Sequence, residues 1–406
     1  MSLTATLERP VQQQRFHDET DIIPDVPNDL VSDVDRQAAK ADWQRLHSTT
    51  PDDPLAGYSV KDREALLAHE YAAQRLGVLG VRELPGVVLD TLRAQKRMEG
   101  TVVHTPLVEA NHFIPGAAVR FLLKNEGLQP VGSYKLRGAY NAIMARQLIG
   151  SGREVVADSA GNHGYSVAWI CRRLGLTARI FMPKNAPDIK KNAVGSQNAK
   201  IVLEGKDYSE TAEDCARYLV ENPGAAYIPP FDDPDVIGGQ RTIAAEIAQD
   251  CPEGPDYILV PIGGGGAIAA IASYYKALRP ETVIIGVQSE KSAAMTRSLE
   301  AGYRVLLDSV DTVADGTKVR QPGKLTFEIA QETVDVCVTV TEDQIYDAIA
   351  DHDEYGLPGE GAGVLATAGL REYLRTHPDM TGTAVGILSG RNIDPRTVRK
   401  SYRRRR

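Results

Sequence analysis

Four consecutive glycines, Gly263 to Gly266, follow an apolar run and precede an alanine-rich segment. Glycine permits sharp bends, so several backbone N–H groups can approach one oxyanion near the positive end of a following helix. This segment, which we call the glycine quartet, therefore predicts a phosphate site. The spacing Gly264-x-Gly266-x-x-Ala269 also satisfies a weak dinucleotide pattern with Glu290 as a late acidic residue, whereas the absence of a Gly-Lys-Ser/Thr sequence excludes a P-loop.

A second polar loop, Ser159-Ala-Gly-Asn-His-Gly164, also separates a short strand-like run from a helical period. Its backbone amides, with the Ser159 hydroxyl and the Asn162 amide, could hold a carboxylate at the N-terminus of the following helix. His163 has no metal-spaced partner and no obvious nucleophile beside it. A lone histidine in a turn is more often structural than catalytic.

Lys135 lies in the segment Ser133–Ala139, where a helix begins after an extended stretch. A single lysine is usually a solvated surface charge. In a dry site near other positive groups, however, a lysine loses proton affinity and becomes a nucleophile towards carbonyls. Ser389 ends the apolar run Ala384–Leu388, where its hydroxyl could meet a ligand atom or only turn the chain.

The elements that must position these residues alternate between strand and helix from about Thr101 onward, which is typical of doubly wound parallel α/β sheets. The predicted strands are Val119–Leu123, Val155–Ala157, Ala178–Met182, Lys200–Leu203, Ala226–Ile228, Tyr257–Pro261 and Val283–Val287. The predicted helices are Ser133–Leu148, Tyr165–Leu174, Asp188–Val194, Tyr208–Val220, Ile237–Gln249 and Ala267–Leu278. Ligands bind at the carboxyl ends of such strands, which selects the loops Asp158–Gly164, Ile262–Gly266 and Leu388–Asn392.

The composition indicates a globular protein that acts on small molecules. The 406 residues predict about two or three domains, with 42% apolar and 25% charged residues. The net charge of −8 argues against general binding to nucleic acid or to an acidic membrane surface. The cysteines are far apart and signal neither a zinc site nor a disulfide framework. We recognise no secretory signal and no membrane span, so the cytoplasm is the expected compartment.

The two ends of the chain differ from its middle. Residues 1–96 are expected to form a mostly helical or irregular N-terminal extension, with amphipathic helices over Ala65–Leu76 and Leu84–Ala94. Residues 396–406 contain seven Lys or Arg and are expected to be a solvated, frayed basic tail.

Together these segments resemble the fold-type II pyridoxal-phosphate enzymes, and most closely the threonine/serine ammonia-lyase (threonine dehydratase) family. The resemblance covers about Thr101 to Asp394 and depends on nine motifs in the family's order, each weak alone. The motifs are Thr105-Pro-Leu, Lys124-Asn-Glu-Gly-Leu-Gln, Ser133-Tyr-Lys-Leu-Arg-Gly-Ala, Ser159-Ala-Gly-Asn-His-Gly, Gly238-Gly-Gln, Gly263–Gly266, Ala314-Asp-Gly316, Glu360-Gly-Ala and Ser389-Gly-Arg-Asn. The resemblance implies two doubly wound domains: a large cofactor-binding domain over 97–153 and 231–395, and a small domain over 154–230.

The resemblance also implies pyridoxal 5'-phosphate as the cofactor and gives the matched residues roles in holding it. Lys135 would form the internal aldimine and later move protons. Tyr134 and Gly316 would flank the pyridine ring, Asn162 would hold its phenolic oxygen, and Ser389 would face its nitrogen. The phosphate would be bound by Gly263, Gly264, Gly265 and Gly266.

The reaction implied by the resemblance is β-elimination, which converts a small hydroxy amino acid such as threonine or serine to a 2-oxo acid and ammonia. Lys135 would remove the α-proton, and the cofactor would accept the developing charge. A neutral serine at 389, unlike an aspartate, should favour expulsion of a β-leaving group. The substrate carboxylate would be bound by Ser159, Ala160, Gly161 and His163. The family also suggests a homodimer or a larger homo-oligomer.

The chain departs from the family pattern at several positions. Ala160 replaces a second serine found in related serine racemases, which favours elimination over racemisation. Arg241 and Arg391 are additional guanidinium groups that could hold a second anionic group of the substrate, or could point to solvent. Thr296 stands where an acidic partner of Glu290 is expected, so we expect no metal site.

Other functions stay open on the sequence alone. A lyase of the same fold could act on an acidic or diamino substrate such as threo-hydroxyaspartate or diaminopropionate, and a β-replacement synthase would share the same motifs. A dinucleotide-binding protein would not depend on Lys135. The chain ends soon after the Ser389 loop, so no C-terminal regulatory domain is expected.

Overall fold

The structure is a computed structural model that describes residues 84–206 and 208–405. These residues all belong to one unit, Ala68–Arg406. The predicted helix Ala65–Leu76, and with it most of the predicted N-terminal extension, lies outside the described residues.

Strands and helices alternate along the described chain. The strands are β1 (Leu107–Glu109), β2 (Arg120–Asn125), β3 (Val155–Asp158), β4 (Ala178–Met182), β5 (Lys200–Leu203), β6 (Ala226–Tyr227), β7 (Tyr257–Pro261), β8 (Val283–Ser289), β9 (Val336–Val340) and β10 (Thr383–Leu388). The helices are α1 (Leu84–Met98), α2 (Lys135–Ala145), α3 (Asn162–Leu174), α4 (Asp188–Gly195), α5 (Tyr208–Glu221), α6 (Pro234–Asp250), α7 (Gly266–Leu278), α8 (Ala294–Ala301), α9 (Lys324–Thr333), α10 (Glu342–Glu354), α11 (Leu365–Thr376) and α12 (Pro395–Arg404). Short 3₁₀ turns lie between several of them.

The strands of the described residues form two sheets. The larger has the order β1-β2-β10-β7-β8-β9, in which β1 runs antiparallel to β2 and all other neighbours are parallel. The smaller has the order β5-β4-β3-β6 and is entirely parallel. Because helices cover both faces of a parallel sheet, the side chains of a central strand are buried on both faces and form a continuous apolar run. In β7, the consecutive residues Ile258, Leu259 and Val260 are all fully buried.

The predicted α/β fold with parallel sheets is confirmed. Three strands have the predicted bounds, Ala178–Met182, Lys200–Leu203 and Tyr257–Pro261. Helix α6 begins three residues earlier than predicted, because the Asp233 carboxylate caps its first backbone N–H groups and Pro234 occupies the first turn.

The two sheets use different parts of the chain. The strands of the smaller sheet all lie between residues 155 and 227, whereas those of the larger sheet lie before and after this stretch. The exact domain boundaries at 153/154 and 230/231 stay a prediction. Helix α1 extends the predicted helix Leu84–Ala94 to Met98, and it packs against α6 with Ala94 and Met98 buried.

A buried ionic cluster fixes α2 relative to β2 and α6. Arg137 of α2 pairs with Glu126 at 2.8 Å and with Glu246 of α6 at 2.6 Å. Lys124 of β2 lies 2.8 Å from the second oxygen of Glu246. All four side chains are buried, so each charge depends on its partners for solvation. The cluster therefore sets the position of the first turn of α2, which carries Lys135.

The basic C-terminal segment is folded, so the expectation of a frayed tail is wrong. Helix α12 begins at Pro395, and the Asp394 side chain accepts from the Arg396 N–H. Arg404 pairs with Asp343 of α10, and Arg405 pairs with Asp351 of α10 at 2.5 Å. The acidic face of α10 supplies the counter-charge that the linear sequence does not reveal.

Among the described helices, none combines the length and the apolar character that a bilayer crossing requires.

Candidate active site

A cavity of about 230 Å³ lies where β3, β7 and β10 end. Each of these strands leads into one of the three loops that the sequence selected. Every predicted site residue except Arg391 lines this cavity: Tyr134, Lys135, Ser159, Ala160, Gly161, Asn162, His163, Gly263, Gly264, Gly265, Gly266, Gly316 and Ser389. The fold thus brings together segments separated by more than a hundred residues along the chain.

Lys135 is the first residue of α2, and its side chain lies in the cavity wall. Its Nζ donates to the backbone carbonyl of Pro230 at 2.7 Å. Burial lowers the pKa of Lys135 to about 8, although the nearby charge of Glu360 opposes this shift. The amine therefore has a substantial neutral fraction near physiological pH, and only the neutral form is nucleophilic.

The glycine quartet lies at the N-terminus of α7, and its backbone closely approaches other groups. A Cβ atom at Gly264 would lie 2.5 Å from the ring of Phe231, so a side chain fits there only if the loop or the ring moves. Gly265 has φ = +103°, a left-handed conformation that favours glycine. Thr326 Oγ1 donates to the Gly264 carbonyl at 2.6 Å and holds the loop in place. An anionic group is stabilised at such a helix N-terminus, so this loop fits a phosphate.

The loop after β3 leads directly into α3, which begins at Asn162 rather than at the predicted Tyr165. The Gly161 N–H donates to Ser159 Oγ at 3.1 Å, which closes the turn before the helix. His163 Nε2 lies 2.8 Å from the carbonyl oxygen of Ile228 and therefore donates to it. Burial lowers the pKa of His163 to about 3. The imidazole is therefore neutral, and it braces the loop against the segment after β6.

Asn162 has two protein partners in this cavity. Its Oδ1 accepts from Asn392 Nδ2 at 2.9 Å, and its Nδ2 donates to Glu360 Oε1 at 2.7 Å. Ser389 Oγ lies 3.2 Å from the Ala362 carbonyl oxygen. These contacts fix the orientation of two side chains that face the cavity.

Sequence reasoning gave no role to several residues that line the cavity. Glu360 occurs in a recognised motif, but its contact with Asn162 joins residues 198 positions apart. Phe231 follows Pro230 and lies against the glycine quartet. Lys190 of α4 pairs with Asp315 at 2.5 Å, and both residues line the cavity. The sequence gave no signal for these contacts, because local spacing does not specify which distant side chains meet.

Arg391 and Arg241 do not reach the cavity. Arg391 is exposed, its backbone N–H donates to the Gly132 carbonyl at 2.9 Å, and its side chain lies beside Gly127. Arg241 lies on α6, where its Nε donates to Ser273 at 3.3 Å. Arg391 is therefore not part of the cavity wall, and its contact with a second anionic group of the substrate stays a prediction.

Thr296, which stands where an acidic partner of Glu290 would be expected in a divalent-cation site, is hydrogen-bonded within the protein. The backbone N–H and the hydroxyl of Thr296 both donate to Gln288 Oε1 at 2.9 Å. Within the residues that the structure describes, no group of three or more His, Cys, Asp or Glu side chains is arranged to hold a metal ion.

The donor set of the cavity fits pyridoxal phosphate. A phosphate requires a backbone cradle at a helix N-terminus, which the glycine quartet and α7 form. An aldehyde requires an amine with reduced proton affinity, which Lys135 supplies in the same cavity. Asn162 and Ser389 add a neutral amide and a neutral hydroxyl for the polar atoms of a ring.

Comparison with known proteins agrees with this assignment. Residues 98–390 match the family model described as pyridoxal-phosphate dependent enzyme. The chain is 39% identical over 313 residues to the catabolic L-threonine dehydratase TdcB of Escherichia coli K12, which covers 77% of this chain and 94% of that protein. The processed form of threonine deaminase isoform 2 from Solanum lycopersicum is similar in structure, with a TM-score of 0.73 at 38% identity, covering 79% of this chain and 88% of that one.

A more distant similarity is to serine racemase from maize, with a TM-score of 0.71 at 29% identity, covering 78% of this chain and 96% of that chain. The family match spans the lysine, the glycine quartet and the Ser389 loop, which are the segments that meet in the cavity. The chain therefore belongs to the family of pyridoxal-phosphate-dependent enzymes, with the fold-type II architecture of the threonine dehydratases.

Proposed function

We propose that this protein is a pyridoxal-phosphate-dependent ammonia-lyase, which deaminates a small hydroxy amino acid such as threonine or serine to a 2-oxo acid and ammonia. The observation that carries the proposal is that Lys135, with its lowered pKa, shares one cavity with the glycine quartet. The relatives named for threonine deamination, which are 38% and 39% identical, support this substrate class. They do not favour the acidic, diamino or β-replacement alternatives.

The proposed binding roles are those that the family resemblance implies, and the shared cavity supports them. The glycine quartet and the N-terminus of α7 would hold the cofactor's phosphate, while Tyr134 and Gly316 would flank its ring. Asn162 would hold the ring's oxygen, and Ser389 would face its nitrogen. When bound, the cofactor supplies a conjugated ring that accepts electrons from the substrate's α-carbon.

Two roles concern the substrate: binding of its carboxylate, which we give to the loop Ser159–His163, and removal of its α-proton, which we give to Lys135. The backbone amides of the loop Ser159–His163 and the Ser159 hydroxyl, at the N-terminus of α3, would bind the substrate's carboxylate. Lys135, oriented by the carbonyl of Pro230, would take the α-proton as a neutral amine. A pKa near the working pH suits a group that must both accept and return a proton.

The test is an ammonia-release assay on threonine and on serine, combined with a visible absorption spectrum of the purified protein. We expect absorbance from the bound cofactor and release of a 2-oxo acid together with ammonia. Lys135→Ala should abolish both, whereas Lys184→Ala, an exposed lysine outside the cavity, should retain both. Full activity in Lys135→Ala would overturn the proposal. A thiol or amine adduct instead of the 2-oxo acid would indicate a β-replacement synthase.

Three further properties belong to the same proposal. The larger sheet would mark a cofactor-binding domain over 97–153 and 231–395, and the smaller sheet a domain over 154–230. The resemblance to threonine dehydratases supports a homo-oligomer, and a cytoplasmic location belongs to the same proposal. Size-exclusion chromatography with light scattering would measure the oligomeric state.

A further inference from the structure

Glu360 lies in the segment between α10 and α11, and its carboxyl group lines the cavity. Its backbone is held on both sides: its N–H donates to the Gly390 carbonyl at 3.0 Å, and its carbonyl accepts from the Val364 N–H at 3.1 Å. A Cβ atom at Gly390 would lie 2.7 Å from Glu360 Oε1, and one at Gly316 would lie 3.6 Å from it. The carboxyl group therefore occupies space that glycine leaves free at position 390.

A chain of side-chain hydrogen bonds ends at this carboxyl group. Asn392 Nδ2 donates to the Val131 carbonyl at 2.8 Å, which fixes which end of that amide carries the N–H groups. The atom of Asn162 that faces Asn392 Nδ2 must then be an acceptor, Oδ1, at 2.9 Å. It follows that Nδ2 of Asn162 faces Glu360 Oε1, at 2.7 Å. One N–H of Asn162 is used in this contact, and the second is left for a ligand in the cavity.

The charged groups around Glu360 come from three separate elements. Lys135 belongs to α2, Lys190 belongs to α4, and Asp315 lies in the 3₁₀ turn that includes Gly316. The titratable phenol of Tyr134, directly before α2, also interacts with the charge of Glu360. Burial and the negative charge of Asp315 raise the pKa of Glu360 to about 7, while the Asn162 hydrogen bond and the two lysines oppose the shift. The carboxyl group is thus poised to change its charge within the physiological range.

We propose that Glu360 is a positioning residue that acts through Asn162. Its carboxyl group accepts one N–H of the Asn162 side-chain amide, so that the second N–H points at the cofactor's ring oxygen. This hydrogen bond becomes stronger when Glu360 ionises. The inference rests on the proposed role of Asn162. A carboxylate accepts a hydrogen bond about twice as strongly as a neutral oxygen. Protonation of Glu360 therefore loosens Asn162 and weakens the hold on the cofactor at low pH.

The experiment measures the dissociation constant of pyridoxal phosphate from the full-length protein between pH 5.5 and pH 9, with the visible absorption band recorded in the same samples. In the wild type we expect a step near pH 7, with binding weaker by about tenfold or less on the acidic side. Glu360→Gln keeps an oxygen for Asn162 but cannot ionise. Its dissociation constant should lack the step near pH 7 and should equal that of the wild type on the acidic side of pH 7. Any change near pH 8 that comes from Lys135 should be the same in both proteins.

Glu290→Gln is the matched control, because Glu290 is exposed and does not line this cavity. It should keep the wild-type step. Should Glu360→Gln fail to fold, Glu360→Asp replaces it: a shorter carboxylate should retain a step at a shifted pH. The inference is overturned when Glu360→Gln retains the step or when the wild type shows none. A protein that shows the step but releases no ammonia from threonine or serine would refute the proposed function and leave this inference standing.

Discussion

The amine of Lys135 is held by the carbonyl oxygen of Pro230, 2.7 Å away and 95 residues further along the chain. A backbone carbonyl accepts a hydrogen bond from either protonation state of the amine. The contact therefore orients Lys135 without contributing a full charge that would keep it protonated. Neighbouring Phe231 lies against Gly264, so one short segment after β6 contacts both the amine and the phosphate cradle.

The first prediction concerns how the apoprotein captures its cofactor. Because burial lowers the pKa of Lys135 to about 8, the neutral amine should become the main form as the pH rises through that value. The rate of cofactor capture, followed by stopped-flow absorbance, should rise with a midpoint near pH 8 and then level off. A rate still climbing towards pH 10.5, the ordinary value for lysine, would show that the cavity does not perturb this amine.

The second prediction concerns the phosphate cradle. Gly264→Ala places a methyl group 2.5 Å from the Phe231 ring, so the loop must move to accommodate it. We expect the affinity for pyridoxal phosphate to fall by about tenfold or more while the protein stays folded, since overpacking costs about 1–3 kcal/mol. Gly224→Ala is the control, because no atom lies within 4 Å of its Cβ position. Equal affinities in the two variants would contradict the assignment of the phosphate site.

The third prediction concerns the buried ionic cluster. Arg137→Met leaves the carboxylates of Glu126 and Glu246 without their shared partner, which should lower the free energy of unfolding by about 3–5 kcal/mol. Arg179→Met, which breaks the half-buried pair with Glu154, should cost only about 1 kcal/mol. Urea denaturation measures both. Similar losses in the two variants would mean that the cluster is no more important than a peripheral pair.

The fourth prediction concerns acid stability. Burial alone would raise the pKa of Glu126, but the charge and hydrogen bonds of Arg137 hold it below the ordinary value. A carboxyl group whose pKa is lowered in the folded state stabilises the protein at pH values above its unfolded-state pKa, which is near 4.5. This stabilisation is lost as the pH falls through the lower pKa of the folded state. Glu126→Gln should therefore show a shallower loss of stability below pH 4.5. An acid-denaturation curve with the slope of the wild type would contradict this.

The fifth prediction concerns helix α12. Asp351 pairs with Arg405 at 2.5 Å and with Arg371 at 2.7 Å, so Asp351→Asn should loosen the C-terminal helix. These groups are partly exposed, and we expect a cost of about 1 kcal/mol or less, which added salt would reduce further. Hydrogen exchange of the amides in Pro395–Arg404 should become faster in Asp351→Asn. It should stay unchanged in Asp379→Asn, whose carboxylate is exposed.

The sequence predicted the alternation of strands and helices between about residues 119 and 287 well, because short apolar runs such as Tyr257–Pro261 are bounded by glycine or proline. It also located the three loops of the cavity, since these follow strands of a parallel sheet. Strand β9 was not predicted, and neither was strand β1. Its three residues, Leu107–Glu109, are too few to show a period, and its antiparallel pairing with β2 depends on the tertiary fold.

Contacts between distant side chains could not be predicted in the same way. Neither the partner of Glu360 nor the burial that lowers the pKa of Lys135 is encoded by local spacing. The C-terminal segment was misjudged for a related reason. Its charge suggested solvation, and only the three-dimensional structure shows that the acidic residues of α10 lie beside it.

The order of strands in the larger sheet has a consequence for biosynthesis. Strand β10 lies between β2 and β7, although it is the last strand along the described chain. A ribosome must therefore translate nearly the whole protein before the centre of this sheet can be filled, whereas the smaller sheet uses one continuous stretch and can assemble earlier. Nascent chains stalled before residue 383 should consequently expose the unpaired edges of β2 and β7, which makes them targets for chaperones.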